Sequence, residues 1–90
     1  RGFREYGDFA RLALCYSVSA EIDPNQPYVW YGLARAEAQL GEKEKAMESL
    51  RKAVDHGFKD ADKLANDFDL RSLQDEKEFK KILERLKKQT

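Results

Sequence analysis

The chain has 90 residues, and its 17 Lys or Arg residues balance 17 Asp or Glu residues. This balance excludes the strongly basic class that binds nucleic acid through its overall charge, and it gives no general attraction to an anionic membrane. Charged residues make up 38% and hydrophobic residues 41%, with only two prolines and five glycines. This composition favours one small, soluble, all-α domain over a disordered or fibrous chain.

The residues that usually carry chemistry are scarce in this chain. It contains one cysteine, Cys15, and one histidine, His56. No intrachain disulfide can form, so a cytoplasmic and a periplasmic location both stay open. Nucleophile–base pairs and metal sites need several such groups at suitable spacing. The sequence therefore predicts no catalytic residues, no metal and no cofactor, and we expect that the chain is not an enzyme.

A shift of the sequence against itself by 34 residues aligns similar positions. Gly7 falls on Gly41, and Tyr16 falls on Leu50. Because glycine ends helices and permits tight turns, this register predicts a turn at Gly7 as well as at Gly41. Pro27 is expected in the first turn of the next helix, where its missing N–H is harmless. The predicted helices are 8–22, 28–40 and 43–56.

Two sequence motifs lie in the second of the two stretches that this shift aligns. The first is W-x-x-L-G/A, formed by Trp30, Leu33 and Ala34; the second is A-x-x-x-F-x-x-A, formed by Ala46, Leu50 and Ala53. Together they resemble the tetratricopeptide repeat family. In the first unit, Gly7-Asp8-Phe9 resembles the inter-helix turn of that family, and Asp23-Pro24-Asn25 resembles its closing D-P-N.

The resemblance implies antiparallel helix-hairpin repeats that stack into a superhelix. It divides the chain into an incomplete first repeat at 1–24, a complete repeat at 25–58 and a closing segment at 59–90. Small residues allow helices to approach closely, and large ones fill the space between hairpins. The predicted core consists of Tyr16, Trp30, Leu33, Ala34, Ala46, Leu50, Ala53, Phe79 and Leu83.

The closing segment departs from the repeat pattern, since Asp67 falls where an apolar residue is expected. It resembles a segment at the end of many bacterial repeat proteins, in which a short helix and a turn precede a final capping helix. Asp75 and Glu78 have the spacing of a capping box at the start of this helix. Its predicted apolar stripe is Phe79, Ile82, Leu83 and Leu86, and its charged remainder is expected to face solvent.

The resemblance also assigns a partner-binding groove to the inner side of helix 28–40. A mixed aromatic, cationic and amide surface of this kind suits an extended peptide or a helix of another protein. The alternative is that Tyr28 and Tyr31 pack on a neighbouring repeat or on the closing segment. The predicted groove residues are Tyr28, Tyr31, Arg35, Ala38 and Gln39.

The function predicted from these features is a non-catalytic protein–protein interaction module or scaffold. Because the pattern begins inside a repeat, we expect it to be the C-terminal tetratricopeptide portion of a larger, bacterial protein. The expected partner is a protein or peptide segment, or a catalytic domain of the same parent chain, and not nucleic acid or a membrane. The alternative is a structural or dimerisation appendage of a bacterial enzyme such as a hydrolase, protease or kinase.

Overall fold

The computed structural model describes the backbone of residues 3–89 and the side chains of residues 7–89. Every regular element in this range is helical, which confirms the predicted all-α class. The repeat architecture stays a prediction, and positions 1, 2 and 90 of the predicted units lie outside the described residues. The elements are α1 (Phe3–Ile22), α2 (Pro27–Gln39), α3 (Lys43–Asp55), α4 (Ala61–Asn66), a 3-10 helix (Phe68–Leu73) and α5 (Lys77–Lys88).

Helix α1 passes through Gly7 without interruption, so the predicted turn at Gly7-Asp8-Phe9 is wrong. A glycine inside a helix costs about 1 kcal/mol relative to alanine, which the good helix formers around it outweigh. The helix ends before Pro24, which cannot continue the hydrogen-bond ladder. The Asp23 carboxylate then accepts hydrogen bonds from the Asn25 backbone and the Gln26 side chain, which fixes the turn into α2.

Glycines end the next two helices, as the sequence predicts. Gly41 has a φ of 81° and Gly57 a φ of 114°, values that residues with a Cβ adopt at a cost. The backbone N–H of Glu42 donates to the carbonyl of Glu37 across the first of these turns, which satisfies a carbonyl at the helix end. Pro27 opens α2, confirming its predicted position.

Helix α2 lies at the centre of the fold and packs against α1, α3 and the 3-10 helix. Its short connection to α3 makes the two helices neighbours, and small residues line their contact. Six residues of the predicted core are buried, and three are half-buried at its edge. The buried six are Leu33, Ala34, Ala46, Leu50, Ala53 and Phe79; the half-buried three are Tyr16, Trp30 and Leu83.

Helix α5 buries Phe79, Ile82 and Leu86, which confirms its predicted apolar stripe. The predicted capping box is wrong, because the residue before the helix is Glu76, with no side-chain capping bond. Both carboxylate oxygens of Glu78 instead lie 2.6 Å from Nη1 of Arg51 on α3. Glu78 therefore pairs with a neighbouring helix and does not cap the start of its own helix.

Candidate interaction surfaces

Tyr31 is the main aromatic contact on the α2 face that the sequence assigns to a groove. Only 1% of the residue is exposed, and its ring stacks on Phe58 with centroids 4.3 Å apart and an interplanar angle of 11°. Its hydroxyl donates to Oδ2 of Asp67 over 2.6 Å. Burial and the Asp67 carboxylate both hold the pKa of Tyr31 well above its ordinary value, so the phenol stays a hydrogen-bond donor.

Arg35 binds the same stretch of the closing segment one helical turn further along α2. Its Nη2 donates to Oδ2 of Asp69 over 2.7 Å, and its Nε lies 3.3 Å from Oδ2 of Asp67. Burial opposes the charge, but the Asp69 hydrogen bond and both carboxylate charges outweigh it and raise the Arg35 pKa. Arg35 therefore has two acidic partners in the closing segment.

Gln39 completes this row of polar contacts. Its Nε2 donates to the backbone carbonyl of Asp69 over 3.1 Å and lies 3.3 Å from Oδ1 of the same residue. The Asp67 carboxylate also accepts from the Asp69 backbone N–H, which caps the start of the 3-10 helix. Asp67 and Asp69 therefore take part both in the local turn and in the contacts with α2.

The predicted groove is consequently covered over most of its length by the chain itself. Tyr31, Arg35 and Gln39 hold the closing segment, and Ala38 is buried in the core. Tyr28 is 59% exposed, and its ring meets the Phe58 ring in a T-shaped contact with centroids 5.5 Å apart. Contact with the closing segment is the alternative that the sequence leaves open for Tyr31, and a partner-binding role for these residues stays a prediction.

Helix α1 packs on α2 through one side only. The Tyr16 ring lies so close to Gly32 that a Cβ there would come within 2.5 Å of it. Ala20, four residues on from Tyr16, is buried on the same side. The glycine therefore sets how closely the two helices approach.

The opposite side of α1 carries large apolar residues in solvent. Leu14 is 66% exposed, Val18 49% and Ile22 80%. Because residues four apart lie one above the other on a helix, they form one stripe, which we call the outer face of α1. Single exposed apolar residues are common, but a contiguous stripe is typical of an interaction site.

Sequence reasoning did not single out the outer face of α1. The sequence does contain a signal for it: Leu14, Val18 and Ile22 recur every four residues, offset by two positions from Tyr16 and Ala20. A helix with apolar residues on both sides is usually covered on both. Cys15 lies beside this stripe and is exposed.

The polar side of α5 faces solvent, as predicted. Its exposed residues include four cations that flank the single carboxylate of Glu84: Lys80, Lys81, Arg85 and Lys88. A groove between α5 and α3 is lined by Val54 and Ile82 together with the Arg51–Glu78 ion pair. Both features are consistent with a solvated helix surface.

The described residues hold no group of three or more His, Cys, Asp or Glu side chains arranged to bind a metal ion. Within residues 3–89 no helix combines the length and apolar character that crossing a membrane requires. His56 lies at the C-terminal end of α3, where its backbone N–H donates to Lys52.

Comparison with models of known protein families, with curated proteins and with solved structures finds no match to this chain. Function is accordingly inferred from the surfaces described above.

Proposed function

We propose that this chain is a non-catalytic protein–protein interaction module whose binding surface is the outer face of α1. The observation that carries this proposal is the exposure of Leu14, Val18 and Ile22 on one side of a helix that is packed on the other. Fully burying a side chain of this type contributes about 1.5–3 kcal/mol. A partner that covers all three gains enough to offset part of the entropy lost on association.

The polar contacts on α2 support this choice of surface. Tyr31, Arg35 and Gln39 already have partners within the chain. A peptide bound there would have to displace two aspartates and the closing segment that carries them. The outer face of α1 needs no such displacement, because only solvent covers it among the described residues.

The helix-hairpin arrangement that resembles tetratricopeptide repeats belongs to the same proposal. Helices α2 and α3 are joined through Gly41 and pack together through Ala34, Ala38 and Ala46. A stacked hairpin of this kind gives α1 a firm support. In this proposal, the module belongs to a larger bacterial protein and presents α1 to the partner.

A capture experiment with matched variants tests the proposal. The wild-type chain, a Leu14→Ser, Val18→Ser double variant and a Phe68→Ser control are immobilised and exposed to bacterial lysate. Phe68 is 69% exposed on the 3-10 helix, so the control also removes a solvent-exposed apolar side chain. We expect bound protein to be retained by the wild type and the control and lost by the double variant.

Circular dichroism must show that all three chains are folded for this comparison to hold. The same set of bound proteins on every chain, or none on the wild type, would count against the outer face of α1 as a binding surface.

A further inference from the structure

We propose that the outer face of α1 is covered by α1 of a second copy of this chain, in an antiparallel dimer centred near residue 16. This inference rests on the proposed function and names the partner. It also specifies how the chain would act as a dimerisation appendage, which is the alternative function that the sequence leaves open.

The spacing of the apolar residues suits a two-fold arrangement. In an antiparallel pair centred on residue 16, two residues face each other when their numbers add up to 32. Leu14 then faces Val18 of the second copy, and Ile22 faces Ala10, a small exposed residue. Each contact occurs twice, which is the property of an isologous interface.

The charges beside the stripe are complementary in the same register. Arg11 and Glu21 also add up to 32, so each arginine meets a glutamate of the other copy at both ends of the contact. At 100° per residue, the side chains of Arg11 and Glu21 leave the helix axis in directions about 20° and 60° from that of Val18. Both residues therefore lie next to the apolar stripe. Arg11 is largely exposed, and its contact with Asp8 is loose, at 3.5 Å. A parallel pair in the same register would instead place Arg11 against Arg11.

The overall charge presents no obstacle to self-association. The formal net charge is zero, and the calculated isoelectric point is about 6.8. Proteins with a net charge near zero at working pH lack the mutual repulsion that keeps copies apart. A second copy therefore meets both the apolar stripe and the charges around it.

The size of the contact sets the expected affinity. One face of a single helix covers less than the roughly 800 Å² per partner that is typical of stable complexes. We therefore expect a weak dimer, with a dissociation constant on the order of 10–100 µM.

Sedimentation equilibrium of the whole chain over a range of about 5 µM to 1 mM tests this directly. We expect the wild-type mass to rise toward twice the 10.5 kDa of one copy. Val18→Glu is expected to stay monomeric throughout, because it introduces a charge at the centre of the stripe. Phe68→Glu, which changes an exposed apolar residue on the 3-10 helix, should dimerise like the wild type.

A charge exchange tests the antiparallel register. Arg11→Glu or Glu21→Arg alone should raise the dissociation constant about two- to thirtyfold, the range expected for an exposed ion pair made twice. The double variant carries the same pair with the charges exchanged, and it should recover an affinity within about twofold of the wild type.

A wild-type chain that is monomeric at every concentration would overturn the inference, as would dimerisation of Val18→Glu or a double variant no better than the singles. These results are separable from failure of the proposed function. A monomeric wild type that still captures a different protein through Leu14 and Val18 would overturn the dimer and leave the interaction module standing.

Discussion

Residues 7–22 and 41–56 align in the 34-residue register but have different structures. Gly41 lies in a left-handed turn between two helices, whereas its counterpart Gly7 lies inside α1. Leu50 is completely buried, whereas its counterpart Tyr16 is half-buried. Helix α3 is packed by α2, α5 and the 3-10 helix, whereas α1 packs mainly on α2. A shared pattern therefore predicts residue types, but the neighbours decide what those residues do.

The largest difference should appear when the two aligned core residues are truncated. Leu50→Ala should lower the free energy of unfolding by about 2–5 kcal/mol, because a closed core leaves a cavity. Tyr16→Ala should cost less than about 2 kcal/mol, because solvent already reaches the site. Urea unfolding measures both changes. Equal losses would show that α1 is packed as tightly as α3.

Gly41→Ala tests the turn of the second stretch. A Cβ at a φ of 81° is expected to cost about 1–2 kcal/mol, since the left-handed conformation brings it close to the backbone. The same urea titration gives the change, and a comparison of slopes shows whether the unfolded state has altered. No loss would mean that this turn can adopt another conformation cheaply.

Gly7→Ala should have the opposite sign. The residue is helical, and a Cβ there would meet nothing within 4 Å. Alanine is the better helix former and restricts the unfolded chain, so we expect a gain of about 0.5–1 kcal/mol. The thermal midpoint should rise accordingly. A loss of stability would indicate a turn at Gly7 in solution.

The smallest expected effect concerns Glu37, whose carboxylate accepts a hydrogen bond from the buried Ser49 hydroxyl over 2.6 Å. Burial raises the pKa of Glu37 above its ordinary value of 4.5, although the Ser49 bond lowers it in part. Because the folded chain holds this proton more tightly, the group costs stability as pH rises from about 4.5 through its folded pKa.

Glu37→Gln keeps an oxygen acceptor for Ser49 and removes the charge. The variant should therefore lose less stability than the wild type between pH 4 and pH 7, by an amount smaller than either glycine effect. Urea unfolding at the two pH values gives the comparison. Parallel pH profiles would show that the Glu37 carboxylate is as well solvated in the folded chain as in the unfolded one.

Local signals predicted much of the fold. Helices α2, α3 and α5 follow from apolar spacing, from Pro27 and from the two turn glycines. The α5 cap could not be predicted, because Glu78 pairs with Arg51, 27 residues away. A local rule assigns such a carboxylate to its own helix end and has no information about a neighbouring helix.

The polar contacts on α2 were equally hidden from sequence reasoning. Tyr31 and Asp67 are 36 residues apart, and Arg35 and Asp69 are 34 apart. Each aspartate also fits a turn, and each of the two α2 residues also fits an open groove. Only the three-dimensional arrangement decides between these roles, because the choice depends on where the closing segment lies.

The contacts of Tyr31 and Arg35 with the two aspartates have a consequence for how the native state opens. Regions that share buried contacts exchange their amide hydrogens as one cooperative unit, whereas regions held from one side open at lower free energy. Helices α2 and α3, together with residues 61–73, should therefore exchange together near the free energy of global unfolding. Helix α1 should exchange earlier, because one layer of side chains holds it in place.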